Sequence, residues 1–126
     1  MYITIDEDDG RPVYRQVADE IKALIASREL RDGAALPPVR QVAADLGVNL
    51  NTIAAAYRAL QKEGLLQVRH GAGAVVTSAG AGPRKDSDIR KPLRSALAHM
   101  VLSGLSRAEI LAAVDEEIRQ LHKNHG

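Results

Sequence analysis

The sequence of 126 residues contains no cysteine, no phenylalanine and no tryptophan. Without cysteine it can form neither a disulfide framework nor a thiolate metal site. No apolar run approaches the ~18 residues of a membrane span, and the N-terminus lacks the apolar segment of a signal peptide. We therefore expect a cytoplasmic protein without membrane contact, whose core is built from aliphatic side chains and three tyrosines.

Motifs of catalysis are also missing. The sequence has no HExxH motif, no glycine-rich phosphate loop between a strand and a helix, and no nucleophile and base at catalytic spacing. His122 and His125 could bind a metal only weakly, because they lie beside a chain end that is expected to fray. Acidic residues are concentrated in Asp6–Asp9, and the rest of the chain is mildly basic, which permits nucleic-acid binding. We expect no catalytic site, no bound metal and no cofactor.

The hydrophobic pattern of the first part of the chain predicts three helices. Residues 2–6 come first and alternate apolar with polar side chains, which predicts a short strand. Helical spacing then predicts one helix over about 13–28, a second from Val39 to Leu46 and a third that ends at Gly64. Only a short turn that contains glycine separates the last two helices, as in a helix-turn-helix.

A β-hairpin is predicted directly after the third helix. Apolar and polar residues alternate before the turn at residues 70–73, and a second strand is predicted after it. Three helices followed by a hairpin make residues 1–77 a winged helix-turn-helix domain. The predicted fold class is therefore mostly α with a small β-hairpin.

The last third of the sequence predicts a linker and a pair of helices. Residues 78–88 are rich in glycine, serine and proline, which is typical of a linker. Two helices follow in residues 89–126, and Ser106 to Glu109 form a capping-box pattern before the second. Such short helices have too little partner surface to bury their apolar residues alone, so we expect them to form a homodimer. The alternative is packing against residues 1–77. The residues expected to dimerise are Leu93, Leu97, Met100, Val101, Ile110, Val114, Ile118 and Leu121.

Several spaced motifs in residues 12–73 resemble the winged helix-turn-helix domain of the GntR family of bacterial transcription regulators. They are Pro12-Val13-Tyr14-Arg15-Gln16-Val17, Leu36-Pro37-Pro38-Val39-Arg40-Gln41-Val42-Ala43, Val48-Asn49-Leu50-Asn51-Thr52, Ala56-Tyr57-Arg58-Ala59-Leu60, Glu63-Gly64-Leu65 and His70-Gly71-Ala72-Gly73. The residues after the hairpin are too few for the large effector domains of most branches, and a tail of two short helices is similar to the YtrA subfamily. The resemblance implies a sequence-specific regulator, expected to be a repressor that binds an inverted-repeat double-stranded DNA operator as a homodimer. On the operator it would be associated with the nucleoid. A small-molecule effector is left open; no ligand cavity is evident, so an effector would bind at the dimer seam.

The third helix opens with more polar side chains than a helix cap requires. Asn49 is predicted to cap the helix or to contact DNA, and both roles are compatible. Asn51 can read adenine in the major groove, and Thr52 can bind a phosphate or pack on a thymine methyl. Arg40, in the first turn of the second helix, opposes the helix dipole and therefore has little local structural reason to be present. The resemblance implies that Arg40 contacts DNA, and the alternative is a solvated side chain or a pair with Asp45.

The hairpin turn and the third helix supply the other candidate DNA-binding residues. Arg69, His70 and Gly71 belong to a basic turn with two glycines, which can approach a phosphate or the minor groove closely. His70 on a turn is more often simply exposed, and Arg58 lies on a helix face that commonly carries arginine without any ligand. Two residues depart from the family pattern. Pro38 often corresponds to serine, which would cap a helix, and Leu50 to proline or a polar residue. A winged helix used only for protein contacts remains the alternative function.

Overall fold

The computed structural model describes residues 2–69, 73–77 and 84–125, which form five helices and one antiparallel sheet. The sheet has the strand order β1-β3-β2. The predicted fold class, mostly α with a small sheet, is confirmed. No helix in the described ranges is both long and apolar enough to cross a membrane. In chain order the elements are α1 (Val13–Ala26), β1 (Ala35–Leu36), α2 (Val39–Leu46), α3 (Leu50–Lys62), β2 (Leu66–Arg69), β3 (Gly73–Val76), α4 (Asp86–Leu102) and α5 (Arg107–His122).

The buried core is made by the first three helices and the sheet, which we call the head (residues 2–77). Its buried apolar residues lie at helical spacing on α1 and α3, as the sequence pattern predicts, and all of them fall between Val17 and Val76. Tyr57 is fully buried among them, and its hydroxyl donates a hydrogen bond to the carbonyl oxygen of Pro37 at 2.8 Å. Burial raises the pKa of Tyr57 to about 12, so the hydroxyl stays protonated and keeps this bond.

The helix-turn-helix is confirmed together with its glycine. Gly47 ends α2 in the left-handed conformation (φ +67°), where a side chain would be strained, and α3 begins three residues later at Leu50. The side chain of Asn49 caps α3 by accepting a hydrogen bond from the backbone N–H of Asn51 at 2.7 Å. The turn thus fixes the angle at which α3 leaves α2.

The predicted strand at residues 2–6 is wrong, because this segment has no strand partner in the described part of the chain. The alternation of apolar and polar side chains does correspond to an alternation in burial. Ile3 and Ile5 are half-buried against the core, while their neighbours face solvent. The segment is held by Gln16, whose side chain accepts a hydrogen bond from the N–H of Asp6 at 2.9 Å and donates one to its carbonyl oxygen at 3.1 Å. The sheet takes its third strand elsewhere, from Ala35–Leu36, which the sequence pattern did not reveal.

The two helices after the hairpin, α4 and α5, form a tail (residues 84–125) with almost no core. The tail starts earlier than the sequence suggests: α4 begins at Asp86, inside the predicted linker, and Asp86 and Asp88 favour its N-terminus electrostatically. The predicted capping box is confirmed, with Ser106 and Glu109 each accepting a hydrogen bond from the other's backbone N–H. No residue of either helix is buried in the described structure.

The tail touches the head at its two ends. At its start, the Arg84 side chain donates to the carbonyl oxygen of Glu63 at the end of α3, at 2.7 Å. At its other end, Lys123 pairs with Glu29 at 2.9 Å and Asn124 donates to the carbonyl oxygen of Ser27 at 2.7 Å. At this end Leu121, which is half-buried, lines one cavity together with Ala23 and Leu24 of α1. Leu93, Val101 and Ile118 stay exposed, so the tail packs against the head only at its ends.

Candidate nucleic-acid interface

The N-terminal ends of α2 and α3 face the hairpin across a concave surface of about 400 Å³, which we call the wing-side concavity. It brings together Arg40, Asn51 and Arg69, three residues that the sequence nominates for DNA contact. Arg40 and Arg69 are exposed, and no acidic side chain lies among the described residues of its lining. The described residues of the lining are Pro38, Val39, Arg40, Leu50, Asn51, Ala54, Val68, Arg69 and Gly73.

A second concave surface, the α1-side concavity, lies on the other flank of α3. It measures about 550 Å³ and contains Asn49 and Thr52 of the α3 end together with Tyr14 at the start of α1. Asn51 lines both concavities and is exposed, so it occupies the crest between them. An exposed carboxamide on the crest of a helix is the geometry needed to meet a base edge in the major groove.

Hydrogen bonds and one close backbone approach hold the hairpin against α2 and α3. Gln61 of α3 accepts a hydrogen bond from the N–H of Val68 at 2.7 Å, which ties β2 to the helix. Gly73 has a positive φ of 81°, and a Cβ built there would overlap the carbonyl oxygen of Leu36 and lie 3.2 Å from the nitrogen of Pro38. Only glycine permits this approach. The segment that begins α2 is therefore fixed to the hairpin, and with it the backbone of Arg40 relative to that of Arg69.

The helix ends that meet at this surface are positively polarised. The side-chain oxygen of Asn49 accepts the capping hydrogen bond, so its side-chain amide nitrogen is the group available to a binding partner. The Pro38 departure has the consequence expected from the sequence: within the described structure α2 has no side-chain cap. Its first backbone N–H groups remain free for solvent or a phosphate. No ion pair joins Arg40 to Asp45, although both lie in the described ranges.

Some of the residues predicted to contact DNA lie outside these two concavities. Arg58 is exposed two turns along α3 from Asn51 and is absent from the described lining of both. His70 and Gly71 lie outside the described residues. The two exposed large apolar residues of the surface, Leu50 and Val68, are not among the predicted DNA contacts, because exposed aliphatic side chains give no signal in a search for polar contacts. From the sequence, Leu50 stands out only as a departure from the family pattern.

A concavity larger than these two lies elsewhere, between the end of α1 and the end of the tail. It measures about 680 Å³, and its lining includes Lys22, Arg28, Arg31 and His125. Sequence reasoning gave no hint of a cavity, because this one forms between segments almost a whole chain apart. His125 also contacts the carbonyl oxygen of Ala26 at 2.6 Å, and no group of three metal-binding side chains occurs in the described ranges.

The described part of the head contains three helices and a three-stranded sheet with a hairpin, and a basic concave surface lies at the start of α3, the second helix of the helix-turn-helix. This combination defines a winged helix-turn-helix protein. The family model for bacterial regulatory proteins of the gntR family matches residues 13–76. The chain belongs to the GntR family, as the sequence motifs indicate, and is a helix-turn-helix transcription regulator of the YtrA type.

Curated relatives of this chain are named as regulators. The uncharacterized HTH-type transcriptional regulator YhcF of Bacillus subtilis is 31% identical over 107 residues, which cover 83% of this chain and 88% of YhcF. The HTH-type transcriptional repressor YtrA of the same organism is 32% identical over 75 residues, 60% of this chain and 58% of YtrA. The probable rhizopine catabolism regulatory protein MocR of Rhizobium meliloti is 38% identical over 76 residues, 60% of this chain but only 15% of MocR.

The similarity to solved structures extends over both the head and the tail. YtrA from Sulfolobus acidocaldarius, a GntR-family transcription factor, superposes with a TM-score of 0.56 at 34% identity, over 94% of this chain and 97% of that chain. The DNA-binding domain of AraR in complex with operator ORX1 superposes with a TM-score of 0.53 at 25% identity, over 60% of this chain and 95% of that chain. The second match corresponds in extent to the head.

Proposed function

We propose that this protein is a non-catalytic, cytoplasmic transcriptional repressor that binds an inverted-repeat DNA operator as a homodimer. The observation that carries the proposal is the meeting of Arg40, Asn51 and Arg69 at one concave surface without an acidic neighbour among the described lining residues. In this arrangement the start of α3 enters the major groove and the hairpin follows the backbone beside it. The repressor role is supported by the name of the relative YtrA.

The proposed contacts divide into positioning and reading. Arg40 and the uncapped start of α2 bind phosphates, and Arg58 and Arg69 bind phosphates farther along the duplex. Asn51, on the crest of α3, reads a base edge, and Thr52 contacts the DNA on the other flank of the helix. Asn49 contributes mainly through the cap that sets the direction of α3, and His70 and Gly71, which the sequence predicts to form the hairpin turn, are proposed to contact the DNA as well.

The proposed division into residues 1–77, a linker and a dimerising tail is supported by the exposure of the tail. In this single chain Leu93, Val101 and Ile118 are 44%, 61% and 51% exposed, although they carry the apolar pattern of a helix pair. Monomeric proteins rarely leave a contiguous apolar surface uncovered. A second copy of the tail offers the same surface in return, as two-fold symmetry requires. The proposed interface residues are Leu93, Leu97, Met100, Val101, Ile110, Val114, Ile118 and Leu121.

Operator spacing tests the whole proposal. Two recognition helices related by a two-fold axis should read half-sites about one helical turn apart. We expect that inserting about five base pairs between the half-sites abolishes tight binding in a gel-shift assay, because the two half-sites then face opposite sides of the duplex. Inserting about ten base pairs, a full turn, is the matched control and should restore part of the affinity. Equal affinity for all three spacings would contradict the two-fold arrangement, and an absence of salt-dependent DNA binding would favour a protein-contact module.

Single substitutions separate reading from positioning. Asn51→Ala should cost roughly 1–3 kcal/mol on the best operator and flatten the preference at one base pair of each half-site. Arg40→Ala should weaken binding to all sequences alike and reduce the slope of affinity against salt by about one. Both effects are measured by titrating labelled duplexes at several salt concentrations.

The control for these two variants is Arg119→Ala. Arg119 lies on α5, is exposed and pairs with Asp115 of its own helix at 3.3 Å, so its loss should leave DNA affinity almost unchanged. If Asn51→Ala and Arg40→Ala lower sequence preference equally, the assignment of base reading to Asn51 is wrong.

A further inference from the structure

The first residue of the recognition helix, Leu50, is an exposed aliphatic side chain on the surface proposed to contact DNA. It is 49% exposed and is not part of the hydrophobic core cluster. Among the described residues of the head, the exposed large apolar side chains are Tyr2, Leu50 and Val68. Two of these three lie in the wing-side concavity. The apolar surface of the head is thus concentrated at the proposed DNA contact.

No contact within the described residues explains why position 50 carries a leucine. The cap of α3 is supplied by Asn49, and the buried face of the helix begins at Ile53. An exposed leucine at the first helical position contributes only helix propensity, which many polar residues supply equally well. A contact between the end of α3 and a binding partner therefore explains the leucine better than the stability of the helix does.

The surroundings of Leu50 specify the chemistry of that partner. Ala54 and Val68 continue the apolar floor of the wing-side concavity, while Arg40 and Arg69 stand at its edge as exposed cations. The partner must therefore present a small apolar group flanked by negative charge. In the major groove of DNA only thymine carries such a group, the 5-methyl, between the phosphates of the two strands.

We propose that Leu50 reads a thymine 5-methyl group next to the base pair that Asn51 contacts. The inference rests on the proposed DNA binding and deepens it, because it names one chemical feature of the operator. Leu50 and Asn51 are consecutive at the start of α3 and line the same concavity, so they meet neighbouring base pairs. Leu50 buries the methyl against the apolar floor, and Asn51 supplies the hydrogen bonds that orient the helix.

The test removes the methyl and nothing else. The best operator is first selected from a random duplex pool with the full-length protein, and each thymine of a half-site is then replaced by deoxyuridine, which keeps all base-pair hydrogen bonds. For the wild-type protein we expect affinity to fall roughly three- to fivefold at one thymine per half-site, the equivalent of one buried methyl-sized group. That thymine should adjoin the base pair whose preference is lost in Asn51→Ala.

Variants assign the effect to Leu50. Leu50→Ala should bind the thymine and deoxyuridine operators equally and keep the salt dependence of the wild type. Leu50→Met, which keeps an apolar side chain of similar volume and a good helix former, should retain most of the discrimination. Circular dichroism confirms that each variant is folded before it is titrated.

Three outcomes would overturn the inference. If no thymine of the half-site shows methyl dependence, Leu50 reads no methyl group. If Leu50→Ala discriminates as strongly as the wild type, another residue such as Thr52 reads it. A protein that selects no operator at all would overturn the proposed function as well, and this result is distinct from an operator bound equally with and without its methyl groups.

Discussion

A fragment that ends at Thr77 is expected to stay folded, to sediment as a monomer and to bind the operator roughly 10²- to 10⁴-fold more weakly than the full chain. It should stay folded because every buried apolar residue of the described structure lies between Val17 and Val76. It should be monomeric because the apolar surface proposed for dimerisation is removed with the tail. The loss is large because a second head tethered to the first binds at a high effective concentration, and a single head does not.

Fusion of an unrelated dimerisation module in place of the tail is the control for this experiment. If the tail acts by pairing two heads, the fusion should recover most of the lost affinity on an operator with suitable spacing. A fragment that sediments as a dimer would place the interface in the head and contradict the proposal.

A point substitution tests the same interface in the intact chain. Leu97→Asp places a charge in the apolar row of α4 and should shift the chain toward monomer. Ser95→Asp places the same charge on the opposite, exposed side of that helix and should leave the dimer unchanged.

Gly73→Ala is expected to destabilise the head by roughly 2–5 kcal/mol, a large part of the 5–15 kcal/mol that holds a typical domain together. A non-glycine residue at a positive φ costs about 1–2 kcal/mol, and relieving the overlap of the new Cβ with the Leu36 backbone costs about 1–3 kcal/mol more. Urea denaturation followed by circular dichroism measures the change. Because the clash is with backbone, no side-chain rotation can relieve it.

Two other glycines provide matched controls. Gly47 also has a positive φ, but a Cβ there would meet nothing within 4 Å, so Gly47→Ala should cost only about 1–2 kcal/mol. Gly10 has open space and no positive φ, so Gly10→Ala should be nearly neutral. If Gly73→Ala costs no more than Gly47→Ala, the close backbone approach is not holding the hairpin.

Local sequence signals predicted the five helices of the described part of the chain and several of their ends, although α4 begins earlier than predicted, at Asp86. The apolar spacing of α1 and α3, the glycine after α2 and the Ser106 capping box each act within one or two helical turns, so a pattern in the sequence reports them directly. The strand predicted at residues 2–6 shows the limit of such patterns. Alternation records which side chains are buried, but a strand also needs a hydrogen-bonding neighbour, and the alternation of Ile3 and Ile5 says nothing about one.

The missed features depend on contacts between distant residues. β1 consists of Ala35 and Leu36 only, which is too short for any alternation, and two prolines follow it. It is a strand solely because β3 lies beside it. The polar candidates of the DNA-binding surface could be named from the sequence, but their arrangement could not. That Asn51 stands on a crest between two concavities, with Leu50 on one flank, follows from the packing of α1 and the hairpin on either side of α3.

The close approach of the Gly73 backbone to Leu36 also has a consequence for the deformation of the bound DNA. It makes the hairpin and the start of α2 one rigid unit, so the backbone positions from which Arg40 and Arg69 reach out are fixed relative to each other. In the proposed complex the duplex has to adjust its groove width wherever the two arginine side chains cannot span the difference. The energy of that adjustment depends on the stiffness of the base steps between the two contacts. Operators should therefore differ in affinity through base pairs that no side chain touches.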